Sequence, residues 1–337
     1  MAYSVIVLLL SYFLIITVLI YGFGIKNTLI SWTIKILPLP AAMVDGSRFI
    51  TISALENNLK SVRRFYENQD FSQLGLRVDF TTLDGKKRLK IKEKNLLNRM
   101  VENLIIEMIA KEKGIQLTDS EISAEVNNKI NESGNRTEII EQLQRLYGWS
   151  ISEFEENIVK PDLYQAKLTE YILNNDPQST VSRKKIGEAL REIKDGRDFE
   201  DIAKKYSDGY TTKDGGSVGW FSAEQMLPSI SEAVIKLSVG QTSEIIESPV
   251  GYHIIKLTDK KNEDNIDKFQ ISQIFAKIRT VADLLQEKQN NIKIYIPLKG
   301  LYWNEKDDFV DFNDQSLKKF EDNIFNNSPD DASLLFW

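Results

Sequence analysis

The stretch from Tyr206 to Leu257 constrains the fold of this 337-residue chain more than any other part of its sequence. Its middle, residues 214–226, reads DGGSVGWFSAEQM, and its end, residues 249–257, reads PVGYHIIKL. Glycines that precede two aromatic residues and a methionine indicate a tight crossing of the backbone beneath an apolar pocket. The closing run is short, β-branched and aromatic, which predicts a strand, and it contains His253, the only histidine.

These two motifs resemble those of the parvulin-type (PpiC, rotamase) peptidyl-prolyl isomerases. The resemblance implies a domain over residues 179–278, with a four-stranded antiparallel sheet and helices, that binds proline-containing polypeptides. It also implies the residues that contact the substrate, three around the proline ring and one beside them in the same motif: Val218, Met226, Ile230 and Gln225.

The catalytic residues implied by the resemblance are His253, Ser248 and Gln273. His253 matches the family's histidine in the Gly-x-His-Ile-Ile strand, and Ser248 matches the Ser/Thr position just before that strand. In the family two histidines share a hydrogen-bond network that holds the shape of the site. Gln273 stands where the second histidine is expected, and its amide can both donate and accept hydrogen bonds.

Three positions depart from the family pattern. Ile230 replaces an aromatic residue, Gly209 replaces a Cys or Asp, and residues 174–183 lack the signal of the family's first strand. Residues 269–277, which read FQISQIFAK, align with that missing strand, although they follow His253 in the chain. We therefore expect a circularly permuted parvulin in which this strand completes the sheet; the alternative is a β-hairpin extension without that role.

Residues 42–178 are rich in amphipathic helices. Apolar side chains recur at helical spacing over 96–109, and a capping box at Thr118 and Glu121 opens the next helix. A Val-Asp-Gly turn at 44–46, Lys-Gly-Ile at 113–115 and Tyr-Gly at 147–148 resemble the N-terminal region of SurA- and PrsA-type extracytoplasmic foldases. The resemblance implies a chaperone domain for unfolded client polypeptides over 42–178, completed by a helix and a strand within 279–300.

The N-terminal segment has no charged side chain from residue 2 to residue 25. A helix of that length is long enough to cross a bilayer, so residues 1–25 are predicted to be a transmembrane helix; the alternative is a cleaved signal peptide. Residues 26–41 are expected to form an interfacial helix, with Trp32 and Lys35 at the headgroups, or a plain linker. The two lysines after the span weakly favour a cytoplasmic C-terminal part, whereas the family resemblance implies an extracytoplasmic one, which we prefer.

The tail over residues 301–337 carries nine acidic and three basic side chains, a balance equal to the net charge of the whole chain, −6. That composition predicts a solvated, disordered segment. The negative charge argues against nucleic acid as a partner. The absence of cysteine excludes disulfides, and a single histidine argues against a zinc site. A calcium or magnesium site of carboxylates alone stays open, although no known motif marks one, and no metal or cofactor is predicted.

The sequence thus predicts an α+β protein with a transmembrane helix, a SurA-like helical chaperone domain and a parvulin domain. The function it favours is a single-pass cell-membrane protein whose extracytoplasmic part isomerises prolyl bonds and assists the folding of exported proteins. The alternatives are a holdase chaperone with a catalytically weak or inactive parvulin fold, and a membrane-assembly factor that uses the acidic tail.

Overall fold

The computed structural model describes residues 11–24, 27–69 and 79–327. The chain divides into two compact units. Unit 1 comprises residues 1–164 and 285–337, and unit 2 comprises residues 165–284. The chain therefore leaves unit 1 for unit 2 and returns to it, which makes unit 1 discontinuous in sequence.

Unit 1 begins with two helical segments. The first, α1, covers residues 11–23 and ends in the π-helical stretch Val18–Phe23; the second, α2, covers Thr28–Ile36. Ile16, Ile20 and Ile30 are buried. The predicted transmembrane span lies partly outside the described residues, because residues 1–10 and 25 are not among them. No helix in the described part of the chain has the length and apolar character needed to span a membrane.

The helical body of unit 1 follows the predicted order. Thr118 and Glu121 form the capping box of α5, with the Thr118 hydroxyl accepting from the Glu121 backbone N–H and the Glu121 carboxylate accepting from Thr118 N–H. Pro161 follows a π-helical stretch, Glu155–Val159, that joins α7 to α8. The helices are α3 (Ile52–Asn68), α4 (Leu83–Glu112), α5 (Asp119–Ser133), α6 (Arg136–Gln142) and α7 (Ile151–Phe154). Helix α8 (Lys160–Asn175) begins in unit 1 and continues into unit 2.

A small antiparallel sheet of unit 1 joins the early and late parts of the chain. Strand β1 (Pro40–Val44) pairs with β2 (Arg48–Thr51) on one side and with β7 (Ile294–Tyr295) on the other. Helix α12 (Val281–Asn291) precedes β7. Strand β7 therefore returns the chain to β1, next to Met43 and Val44.

The prediction of a disordered acidic tail is wrong for residues 301–327. These residues form a hairpin of β8 (Leu301–Asn304) and β9 (Phe309–Phe312), followed by helix α13 (Gln315–Asn327). The segment is ordered because its apolar side chains alternate into a buried face, and Trp303, Val310 and Phe312 are each less than a tenth exposed. Residues 328–337 lie outside the described part.

The polar stretch 174–180, within the region that lacks the signal of the family's first strand, is almost entirely helical. Helix α8 ends at Asn175 and α9 (Pro177–Lys194) begins two residues later. Asp176 caps α9 by accepting a hydrogen bond from Gln178 N–H, and Pro177 occupies the first turn, where its missing N–H costs nothing. These polar residues therefore act as a helix boundary.

Unit 2 contains the predicted four-stranded antiparallel sheet, with the strand order β3-β6-β5-β4. Strand β6 (Ile266–Lys277) lies between β3 and β5, so the prediction that residues 269–277 complete the sheet is confirmed. The interpretation of this order as a circular permutation stays a prediction. The other elements are α10 (Phe199–Tyr206), β3 (Ser217–Ser222), α11 (Pro228–Ile235), β4 (Ile246–Ser248) and β5 (Gly251–Glu263).

A buried ion pair holds α13 against α4. The Lys94 ammonium donates to both carboxylate oxygens of Glu321, at 2.8 and 2.6 Å, and both residues are buried. The same ammonium lies 5.3 Å from the centroid of the Phe312 ring. Removal of one charge leaves the other buried without its partner, which is far more costly than the loss of an exposed pair.

We expect Glu321→Ala to lower the free energy of unfolding by about 3–5 kcal/mol, measured by urea denaturation of the full chain. The matched control is Glu67→Ala, which breaks the exposed Arg63–Glu67 pair and is expected to cost at most about 1 kcal/mol. The double replacement Lys94→Met with Glu321→Leu should recover much of the loss. Equal effects of Glu321→Ala and Glu67→Ala would contradict this assignment.

Candidate active site

The glycine pair ahead of β3 forms the predicted backbone crossing. Gly216 has φ +81°, and a Cβ atom at this position would lie 2.4 Å from the carbonyl oxygen of Gln273. The Gln273 N–H donates to the carbonyl of Gly216 at 2.8 Å. Only glycine permits both the left-handed backbone and this close approach. The crossing therefore fixes the start of β3 against the middle of β6.

The loop after α10 continues this pairing along the edge of β6. Asp208 N–H donates to Phe275 O at 2.7 Å, and Phe275 N–H donates to the Ser207 hydroxyl at 3.1 Å. The Lys277 N–H donates to the Asp208 carboxylate at 3.1 Å. Strand β6 is thus paired with β5 on one side and with β3 and this loop on the other. The loop brings its own side chains to the face of β6 that carries Gln273.

On that face lies a cavity of about 560 Å³. Its walls come from the loop after α10, from β3 and α11, and from the facing side chains of β5 and β6. The lining includes every predicted substrate-contacting residue and two of the three predicted catalytic residues: Val218, Gln225, Met226, Ile230, His253 and Gln273. Residues far apart in sequence, from 208 to 275, therefore meet at one concave surface.

The floor of the cavity belongs to the hydrophobic core of unit 2. Ile230 is buried in a cluster with Leu257 and Ile271, and the half-buried Val218 and Met226 pack against it. The side chains around the cavity floor are consequently held by core packing rather than by solvent-exposed loops. Gln225 is exposed. The Oε1 atom of its side-chain amide accepts a hydrogen bond from the backbone N–H of Ser222 in a capping box.

His253 is almost fully buried, with 3% of its surface exposed. Its Nε2 atom lies 2.7 Å from the hydroxyl of Ser248, and its ring stacks on Phe275 with centroids 4.9 Å apart. Ser248 also donates to the carbonyl of Gly251 at 3.1 Å. Because that bond uses the Ser248 proton, the hydroxyl accepts the Nε2 proton of the histidine, an assignment made from this network. Ser248 therefore positions the ring without lining the cavity.

The second ring nitrogen of His253, Nδ1, has no hydrogen bond of ordinary geometry among the described residues. Burial lowers the pKa of His253 from 6.5 to about 4, and the nearby Gln273 side chain acts weakly in the opposite direction. The imidazole is therefore neutral at physiological pH. The neutral ring lines the cavity beside Gln273, while its Nδ1 atom is itself inaccessible to solvent.

The sequence analysis missed aromatic residues of the cavity wall. Phe275 and Phe221 both line it, although neither was assigned to the site. The signal for Phe275 was available: in β6 the side chains of 271, 273 and 275 share one face by the two-residue period of a strand. Phe275 supplies an aromatic surface beside His253, so Ile230 in place of the family's aromatic residue does not leave the site without one.

Gly209 leaves ordinary space at the position where the family has a polar side chain. A Cβ there would lie 3.4 Å from the Ser207 hydroxyl and 3.8 Å from Cβ of Phe275. The site therefore lacks this polar group because the sequence omits it, and the backbone does not forbid it. The hydroxyl of Ser207 instead accepts the Gly209 N–H at 3.2 Å.

We expect the buried neutral histidine to make stability depend on pH. The unfolded chain binds a proton near pH 6.5 and the folded chain only near pH 4, so lowering the pH through this window favours unfolding. His253 should cost about 3 kcal/mol of stability by pH 4 and nothing above pH 7. Urea denaturation from pH 4 to 8 measures this effect as the difference between the wild type and His253→Gln. Parallel curves for the two proteins would contradict it.

Sequence comparison finds relatives both for the domain that contains the cavity and for a larger part of the chain. Residues 167–259 match the family described as the PpiC-type PPIase domain, or rotamase. The chain is 32% identical over 228 residues to Foldase protein PrsA 2 of Bacillus cereus, which covers 60% of this chain and 79% of that protein. It is 39% identical over 88 residues to Chaperone SurA of Hydrogenovibrio crunogenus, but this covers only 26% of the chain and 20% of SurA.

A solved structure of peptidylprolyl isomerase (PrsA) from Bacillus cereus aligns with 87% of this chain and 94% of its own, with 17% identity. Its TM-score of 0.23 is too low to support an argument about the fold. The assignment of the chain to a family is based on its relatives in sequence, and these confirm the predicted resemblance. The chain therefore belongs to the PrsA family of foldases and carries a PpiC-type peptidyl-prolyl cis-trans isomerase domain.

Proposed function

We propose that the cavity of unit 2 binds the proline of a client polypeptide and accelerates rotation about the preceding peptide bond. The observation that carries this proposal is the convergence of Val218, Met226 and Ile230 with His253 and Gln273 on one cavity. The apolar side chains form a slot for the proline ring. The polar side chains lie where the twisting amide is expected.

Rotation of a prolyl bond is slow because the imide has partial double-bond character, with a barrier near 20 kcal/mol. The reaction breaks no covalent bond, so the site needs neither a nucleophile nor a metal. It must bind the twisted amide more tightly than the planar one. An apolar slot fixes the ring, and the remainder of the chain is then free to rotate about the bond.

We assign His253 and Gln273 to the amide side of the cavity. Because the imidazole is neutral, His253 contributes an uncharged, stacked surface rather than a positive charge. Gln273 supplies an amide that can donate or accept a hydrogen bond. Ser248 acts through His253, since its hydroxyl contacts Nε2 and is itself buried. Ser248 is therefore a positioning residue.

A second activity, chaperone binding, is favoured by a groove in unit 1. It has a volume of about 440 Å³ and apolar walls that include Met100, Leu104 and Tyr164. Arg99, Glu107 and Lys111 also line it, so both signs of charge are present beside the apolar surface. We propose that this groove holds unfolded segments of clients. It would serve a holdase even if the departures at Gly209, Ile230 and Gln273 slowed the isomerase.

We further propose that the protein is anchored to the cell membrane by its N-terminal segment, with the soluble part extracytoplasmic and acting on exported proteins. The sequence from residue 2 to residue 25 is uncharged. Within α1 and α2, Leu14, Phe23 and Trp32 are more than half exposed, as expected for side chains in contact with lipid. Carbonate extraction and protease accessibility of membranes containing the full chain test the attachment and the side.

We expect Met226→Ala to lower kcat/KM for prolyl isomerisation about tenfold, because it removes apolar contact with the proline ring. A protease-coupled assay with a proline peptide and the full chain measures the rate. The matched control is Val239→Ala, which truncates an apolar residue of unit 2 that is 58% exposed and does not line the cavity. A wild-type rate no faster than buffer would contradict the isomerase proposal.

The groove of unit 1 predicts an aggregation phenotype that is separable from catalysis. We expect Met226→Ala and His253→Ala to keep the suppression of client aggregation, measured by light scattering of a denatured protein diluted into buffer. Leu104→Asp, which places a charge in the apolar wall, should weaken it severalfold while leaving isomerisation intact. If Leu104→Asp suppresses aggregation as well as the wild type does, the groove is not the client site.

A further inference from the structure

Tyr210 is the most exposed of the large hydrophobic side chains at the cavity. Its side chain lines the cavity, yet 90% of its surface is accessible to solvent. Large aromatic side chains at exposed positions beside a pocket are typical of contact sites for a partner. Neither the family motif nor the core explains this residue, since it is not part of the core cluster that supports Met226 and Ile230.

The backbone on both sides of Tyr210 is anchored. Gly209 N–H donates to the Ser207 hydroxyl at 3.2 Å, and Thr212 N–H donates to Gly209 O at 3.2 Å. After it, Gly216 N–H donates to Thr211 O at 2.9 Å. An aromatic side chain on a fixed backbone has two rotatable torsions to order when a ligand binds. The entropic cost of contact with Tyr210 is therefore low.

The wall beside Tyr210 is distinct from the slot assigned to the proline ring. Phe275 approaches the loop, with its Cβ 3.8 Å from where a Cβ of Gly209 would lie, and its ring borders Gly251. Val250, next to Gly251, lines the cavity and is 39% exposed. None of Tyr210, Val250 and Phe275 is part of the core cluster that supports Met226 and Ile230. The cavity thus has two apolar walls.

The charges that line the cavity restrict which client side chains can bind at the wall formed by Tyr210, Val250 and Phe275. Among the described lining residues none is basic, and Asp208 is the only acidic one. The Asp208 carboxylate is already bound by Lys185 Nζ at 2.5 Å and by Lys277 N–H at 3.1 Å. A phosphorylated or acidic client side chain would find no cation in the lining. An apolar side chain would meet Tyr210, Phe275 and Val250.

The volume is also larger than one proline ring requires. A cavity of about 560 Å³ falls within the range of sites that enclose drug-sized ligands. We propose that Tyr210, Val250 and Phe275 form a second subsite, which binds a large apolar side chain directly adjacent to the client's proline. This inference rests on the proposed function, and it adds a preference for Leu-like or aromatic neighbours over small or acidic ones.

Peptides that differ only beside the proline test the subsite. One series carries Leu, Ala or Glu before the proline, and a second carries the same residues after it. In at least one series we expect the full-length wild type to favour Leu over Ala about fivefold in kcat/KM, and to favour Leu over Glu by more. Tyr210→Ala should reduce the Leu-to-Ala ratio toward one, whereas Tyr210→Phe should retain it.

Lys213→Ala is the control, because Lys213 is exposed in the same loop and does not line the cavity. Its ratio should equal that of the wild type. Equal rates for Leu, Ala and Glu peptides in both series, a preference for Glu, or an unchanged ratio in Tyr210→Ala would overturn the subsite. If no peptide is isomerised at all, the proposed function fails. The Leu-to-Ala and Leu-to-Glu ratios are then taken from the Kd values of the peptides, measured by NMR titration. Failure of the subsite is thereby distinguished from failure of the isomerase proposal.

Discussion

Backbone pairing along both edges of β6 is the interaction on which the candidate site depends. One edge is paired with β5, and the other is shared between β3 and the loop that follows α10. The cavity walls contributed by β3, by β5 and by the loop after α10 are all hydrogen-bonded to this strand. The loop at 207–216 is held by these bonds, although its only regular structure is the 3-10 turn Thr212–Asp214.

The same pairing explains why glycine is needed ahead of β3. The Gly216 backbone crosses close enough to β6 to exchange a hydrogen bond with Gln273, and any side chain there would occupy the space of the Gln273 carbonyl. Gln273, which we assign to the position of the family's second histidine, is thus held by its own backbone. Its side chain lines the cavity.

Burial decides the chemistry of the histidine. A stacked, solvent-excluded ring loses its charge near neutral pH, so His253 holds its neighbours by shape and by one hydrogen bond with Ser248. Catalysis of a rotation requires no proton transfer, and a neutral ring suits this requirement. Aromatic and aliphatic side chains, among them Phe275 and Met226, supply most of the surface of the cavity that His253 lines.

The sequence alone determined the motif, six residues that line the cavity and the strand that completes the sheet, because the motif resembles a known family and the resemblance carries these positions with it. The two-residue period of a strand then places Gln273 on one face of β6. Tertiary structure alone decided the rest. The acidic tail is ordered to residue 327 because its apolar face and Glu321 find partners on α4, and no local pattern reveals a partner more than two hundred residues away. Tyr210 likewise joined the cavity only when the loop after α10 paired with β6, since its place depends on that long-range pairing.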